Sequence, residues 1–179
     1  MSKPEYTIDR INNNMALRLP QFYSLQILDN IMRNFDFKQD NYALQDKVHE
    51  LYPIFKEFER SFPSLTFALA TGVGKTMLMG AFITYLYTNY DIRNFFVVAP
   101  NLTIYNKLIQ DFGNPAYKKY VFKRIQVFNQ NPPTVITGDT YNQIIAGQQS
   151  YGSITININK MLLAESKISW RNKLPLKTC

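Results

Sequence analysis

Leu65-Thr66-Phe67-Ala68-Leu69-Ala70-Thr71-Gly72-Val73-Gly74-Lys75-Thr76 passes from a short apolar run, through a turn bearing two glycines, to a lysine and threonine that open a second apolar run, Met77 to Tyr90. Glycines in such a turn let backbone N–H groups converge on phosphate oxygens, and the helix that follows offers its N-terminus to an anion. A lysine at position 75 reaches β- and γ-phosphates, and a threonine hydroxyl at position 76 ligates magnesium. Thr71, Gly72, Val73, Gly74, Lys75 and Thr76 are thus the candidate nucleotide-holding set, with ATP and magnesium as expected cofactors. At average glycine usage, G-x-G-K-T arises by chance in a chain of this length well under about once in a hundred. The bland alternative is a glycine turn capping a helix with Lys75 in water. One departure stands out: the strict pattern G-x-x-x-x-G-K-S/T has glycine at position 69, where this chain has Leu69.

Outward from the loop, Leu65–Leu69 has the length of a strand and Met77 to Tyr90, apolar on nearly all sides, reads as a buried helix. Asn94 to Pro100 is aromatic and β-branched, which predicts a strand buried on both faces of a parallel sheet. Strand, helix and strand make a βαβ unit. Asn101 or Thr103 can cap a following helix with an apolar face of Ile104, Leu108, Ile109 and Phe112, closed by Gly113 and Pro115. Thr134–Thr137 and Ser153–Ile158 predict two further strands.

Upstream, Asn12-Asn13-Asn14 reads as a loose leader. Phe22, Leu25, Leu28, Ile31, Met32 and Phe35 form one helical stripe, and Leu44, Val48, Leu51, Phe55 and Phe58 form another that Pro53 interrupts. The expected class is α/β: a partial RecA-like P-loop domain, its parallel sheet flanked by helices and preceded by a helical N-terminal segment. The expected boundaries are 1–64 for the helical segment, 65–160 for the ATP-binding part and 161–179 for a divergent or truncated tail.

The chain has 179 residues, 46% of them hydrophobic, enough for one sizeable core. Its formal net charge of +7 suits a polyanion such as nucleic acid. The single cysteine, Cys179, allows neither an intrachain disulfide nor a cysteine-rich metal site, which points to a reducing, cytoplasmic setting. Met1–Arg10 carries no apolar signal stretch, and no run approaches the roughly 20 apolar residues of a membrane span.

The form L-A-T-G-V-G-K-T resembles motif I of superfamily 2 (DEAD/DEAH-type) helicases and translocases. Together with Leu17-Arg18-Leu19-Pro20-Gln21 and the block Phe95 to Ile109, it resembles the restriction (Res) subunit of type III restriction enzymes over roughly residues 16 to 140. That resemblance implies an ATP-dependent DNA translocase and endonuclease in the complete restriction-modification enzyme, acting on double-stranded DNA beside a methyltransferase (Mod) subunit. Gln21 then corresponds to the glutamine that recognises adenine, assisted by Arg18. Pro100 to Lys107 corresponds to motif Ia, making Asn101, Thr103 and Lys107 the candidates for backbone contacts with nucleic acid. Such contacts position a strand without reading its sequence.

The remaining features divide between readings. Thr137-Gly138-Asp139 is either a backbone-contacting loop or a plain turn. Lys118, Lys119, Lys123 and Arg124 among Tyr117, Tyr120 and Phe122 are either a stacking, phosphate-tracking strip or a solvated face over core aromatics. His49 lacks partners for metal binding and reads as structural. Hydrolysis in P-loop motors needs an acidic residue on a later strand, usually in a D-E-x-H or D-E-x-K motif. No such motif follows the loop here; Asp111, Asp139 and Glu165 stand isolated, and no catalytic residue is assigned. The expectation is an ATP-binding N-terminal fragment with weak or no hydrolysis of its own. The alternative is a non-catalytic nucleic-acid-binding module that retains the fold; a small-molecule kinase is more distant, since the motif Ia-like block has no role there.

Overall fold

The structure is a computed structural model that describes residues 7–34, 41–54, 57–58, 62–142 and 154–160. Phe35, Phe55, Glu165 and the tail expected at 161–179 lie outside these residues. Helices α1 (Ile8–Met15), α2 (Leu19–Asn34) and α3 (Asn41–Leu51) lead to α4 (Lys75–Tyr90). Strand β1 (Asn94–Ala99), helices α5 (Leu102–Gly113) and α6 (Gln126–Gln130), and strands β2 (Thr134–Ile136) and β3 (Thr155–Lys160) follow. The strands form a parallel sheet in the order β1-β3-β2, with Phe96 opposite Asn157 and Ile136 opposite the same residue. This is the mixed α/β layout of a partial RecA-like domain.

Helix α4 is the axis on which the helical segment is built. Its mean apolarity leaves little distinction between faces, and Leu78, Gly80, Ala81, Ile83, Thr84, Tyr85, Tyr87 and Thr88 are all buried. Such all-round burial is expected of a helix enclosed by neighbours. At Gly80 an added Cβ would overlap Val121 Cγ1 and lie 3.3 Å from Met15 Cε, so the missing side chain lets three segments close on one another. Helix α2 is tied to α4 by the Tyr85 hydroxyl, which donates to Asp29 Oδ1 at 2.6 Å, while Arg33 Nε donates to the same oxygen at 2.8 Å. Burial and the Asp29 carboxylate together raise the Tyr85 phenol well above its ordinary pKa.

Several expectations are corrected. Asn12-Asn13-Asn14 is not loose: it lies in α1, where Thr7 Oγ1 caps Arg10 N at 3.2 Å and Ile11 and Met15, one helical turn apart, enter the core. Leu65–Leu69 forms no strand. Leu65 is 39% exposed, and Phe67 anchors the segment by packing on Phe82, with ring centroids 4.9 Å apart, without sheet hydrogen bonds.

Strand β1 is not buried on both faces, because Phe96 is 69% exposed while Phe95 and Val97, pointing the other way, pack against the core. The physical reason is one-sided cover: α5 lies against all three strands, and at Gly113 an added Cβ would stand only 2.7 Å from Val135 Cγ2. On α5 itself Asn101, not Thr103, is the cap, accepting from Ile104 N at 2.9 Å. Tyr105 takes the buried place expected of Ile104, which is exposed.

Pro53 lies beyond the end of α3, and His49 is exposed in its last turn. In the basic stretch Tyr120 and Phe122 are core and Tyr117 is half-buried, whereas Lys118, Lys119, Lys123 and Arg124 face water. They form the solvated face, not a stacking strip.

Two stability tests follow from this packing. Gly80→Ala should cost about 1–3 kcal/mol through overpacking against Val121, read as a lower urea midpoint with an unchanged slope. Tyr120 is the second case: its buried hydroxyl has no partner among the described residues, and desolvation pushes its pKa up to about 12. A folded-state value above the unfolded one means stability that is complete below about pH 10 and lost as pH rises toward 12. Tyr120→Phe should flatten that alkaline limb and be neutral or stabilising by up to about 1 kcal/mol at pH 7, measured by denaturation across pH.

Candidate nucleotide site

The glycine turn adopts the backbone that its sequence demands. Gly72 and Gly74 have φ of +81° and +96°, the left-handed region that costs glycine little and other residues more. Gly74 is the N-cap of α4 and caps it without a side chain, so no hydroxyl or carboxylate competes for the first-turn N–H groups. Met77 N closes back on Gly74 O at 3.0 Å, which leaves the N–H groups of Lys75 and Thr76 and the positive end of the helix dipole to face an anion. Thr71, Gly72, Gly74 and Lys75 are exposed, and Val73 and Thr76 are half-buried. The residues present therefore fit a phosphate chain.

The carbonyl edge of the turn is held from several sides. Lys75 Nζ donates to Ala70 O at 3.1 Å, folding the lysine back over its own loop. Arg18 Nη1 donates to Gly72 O at 2.9 Å, and Gln21 Nε2 donates to Gly74 O at 2.8 Å. Gln21 is 3% exposed, and its Oε1 accepts from Arg18 N at 2.7 Å, so both ends of its amide are engaged within the protein. An added Cβ on Gly74 would lie 2.6 Å from Gln21 Nε2, a second reason for glycine there. The structure thus brings Arg18 and Gln21, more than fifty residues upstream, onto the loop.

Of the three α5 candidates, Asn101 and Thr103 sit exposed at the start of that helix, with Asn101 Oδ1 occupied as the cap. Lys107 instead turns toward the loop, where Nζ donates to Thr76 Oγ1 at 3.4 Å and pairs with the Asp111 carboxylate. Asp111 is 2% exposed, and its Oδ1 has no partner among the described residues. Sequence reasoning set Asp111 aside as isolated. The signal available was its i, i+4 spacing from Lys107 on a helix, which puts the two charges on one face.

The turn at Thr137 is internally satisfied, with Thr137 N donating to Thr140 Oγ1 at 2.9 Å. It lines an open cleft of about 730 Å³ between α5 and β2, to which none of residues 70–76 contributes. No group of three or more histidine, cysteine, aspartate or glutamate side chains able to hold a metal occurs among the described residues. No helix among them is long and apolar enough to cross a membrane.

The family model "Type III restriction enzyme, res subunit" matches residues 20–169. The chain is also similar to the probable type III restriction-modification enzyme HindVIP Res subunit of Haemophilus influenzae, 26% identical over 116 residues, covering 65% of this chain and 22% of that protein. The chain thus spans about a fifth of that relative's length. No solved structure matches. Because the family match runs over most of the sequence and takes in Gln21, the glycine loop and the block after β1, the chain belongs to the type III restriction enzyme Res-subunit family.

Proposed function

We propose that this chain is the ATP-holding part of a DNA-dependent motor of the Res type. The observation that carries the reading is the pair of left-handed glycines leading into an α4 N-terminus without a side-chain cap, with Lys75 and Thr76 as its first two residues. Phosphate oxygens would take the N–H groups of Gly72 to Thr76, and Lys75 Nζ would leave Ala70 O for the β- and γ-phosphates. Magnesium, when bound with the nucleotide, neutralises phosphate charge; Thr76 Oγ1 is the residue that would ligate it.

Adenine recognition falls to Gln21. Its amide offers one donor and one acceptor beyond those it uses on Gly74 and Arg18, the complement of the adenine N6 and N7 edge. Because Gln21 is buried against the loop, base recognition entails some release of that contact. Double-stranded DNA would meet the exposed first turn of α5 through Asn101 and Thr103, with Lys107 one turn further on. The chain's net charge of +7 supports such a polyanion contact. Partnership with a Mod subunit and DNA cleavage belong, on this reading, to the complete enzyme. Turnover by this chain alone is expected to be negligible, since no D-E-x-H or D-E-x-K motif follows the loop. The competing reading, a nucleic-acid module without nucleotide chemistry, draws its support from the basic charge and the exposed α5 start.

Two measurements decide between these. A fluorescent ATP analogue with magnesium should bind the wild-type chain, and Lys75→Ala should weaken it by about tenfold or more, the value of a charge-assisted hydrogen bond, with little phosphate released by either. Absence of binding by a folded wild-type chain, together with salt-steep DNA binding indifferent to ATP and to Lys75→Ala, would favour the module. In competition assays, Gln21→Ala should lose preference for ATP over GTP while still binding both, and an unchanged preference would remove adenine reading from Gln21.

A further inference from the structure

The described half of the phosphate site contains a cation and a carboxylate that the ATP reading does not use. Lys107 bridges the hydroxyl of Thr76 and the carboxylate of Asp111. The lysine side chain is 44% exposed and the aspartate 2% exposed, so one partner is free to leave and the other is fixed. Asp111 is fixed further by its place on α5 between buried Leu108 and Phe112, and its carbonyl accepts from Val121 N at 2.8 Å. A buried carboxylate with one oxygen on a half-exposed ammonium and the other without a partner among the described residues is costly unless a cation stays close.

Resting on the ATP reading, we propose that the Lys107 ammonium holds the place of magnesium beside Thr76, and that magnesium arriving with a nucleotide displaces it and takes Asp111 as an outer-sphere acceptor. A divalent ion ligated by Thr76 Oγ1 cannot share that hydroxyl with an ammonium, because like charges at such a separation repel strongly at any protein dielectric. Magnesium also keeps several of its waters, and those waters need acceptors; the carboxylate vacated by Lys107 is the acidic group that Lys107 links to Thr76. Lys107 and Asp111 are therefore positioning residues of opposite sign: the lysine competes with magnesium and the aspartate recruits it.

The test is equilibrium binding of a fluorescent ATP analogue, at fixed concentration, as magnesium is titrated. Lys107→Met should lower the magnesium concentration at half-saturation by about threefold or more, and Asp111→Asn should raise it by a similar factor, while Lys107→Arg stays near wild type. An unchanged or raised requirement in Lys107→Met, or an unchanged one in Asp111→Asn, overturns the proposal. Should either charge-removing variant fail to fold, the wild-type chain decides the matter by NMR. The Lys107 side-chain resonance, assigned through Lys107→Arg, should move with magnesium and nucleotide together and not with nucleotide in EDTA; a resonance unmoved by the magnesium complex overturns the idea. If the folded wild type binds no nucleotide at all, the ATP reading falls and this proposal with it. If it binds and Lys75→Ala does not, a flat magnesium response in Lys107→Met overturns this proposal alone.

Discussion

One carbonyl oxygen, that of Gly74, organises the candidate site. It accepts from Met77 N and Leu78 N as the first turn of α4 closes, and from Gln21 Nε2 at the start of α2. The turn that would face a phosphate is therefore not a free loop on a helix end; it is fastened to a second helix by a buried amide. An amide at 3% exposure holds only if both its ends are satisfied, and Arg18 N supplies the other partner. The glycine is required twice over, by its positive φ and by the closeness of Gln21. The turn is thereby joined to both α2 and α4.

The same closeness extends into the core. Gly80, one and a half turns along α4, lets Val121 and Met15 approach the helix, and the Asp29, Arg33 and Tyr85 cluster fixes α2 alongside. On the far side, the sheet is held by α5, whose own start carries Asn101 and whose middle carries Lys107. Two helices thus aim at one region: the first turn of α4 brings Lys75 and Thr76, and α5 brings Lys107 from its middle and Asp111 from its last turn. Neither aim depends on the residue types at the site. The placement of α5 follows from its apolar face, and that of α4 from burial on nearly all sides.

What the sequence disclosed follows the same logic. The loop, α4, α5 and the identity of Gly113 as a stop were legible because local chemistry demands them: left-handed glycines, an N-cap asparagine, and apolar spacing at three and four. Leu65–Leu69 misled because strand-like composition says nothing of whether a neighbouring strand is present, and ladder hydrogen bonds are a tertiary event. The exposed Phe96 misled for the same reason, since a continuous apolar run cannot say how many faces are covered. Three asparagines read as loose because their helix draws its stability from Ile11 and Met15 packing on the core, not from propensity. At the site, Gln21 was visible only through family resemblance, and its contact with Gly74 spans 53 positions that no periodicity links. Asp111 was hidden because its significance lies in what Lys107 touches.

These contacts also determine what binding must accomplish. Ala70, Gly72 and Gly74 present carbonyl oxygens that already accept from Lys75, Arg18 and Gln21, and Thr76 already accepts from Lys107. Each of the side chains suited to hold a nucleotide is thus engaged on the protein beforehand. A ligand at this loop would exchange intramolecular hydrogen bonds for ligand bonds, and only the difference contributes to affinity. The exchange is favourable where the acceptor changes from a neutral carbonyl to a charged phosphate oxygen, because charge-assisted bonds are roughly twice as strong. It is least favourable at Gln21, whose partners before and after are both neutral. On the ATP reading, selectivity for the phosphate chain would therefore exceed selectivity for the base, and the strength of base recognition would depend on how readily the buried amide lets go of Gly74.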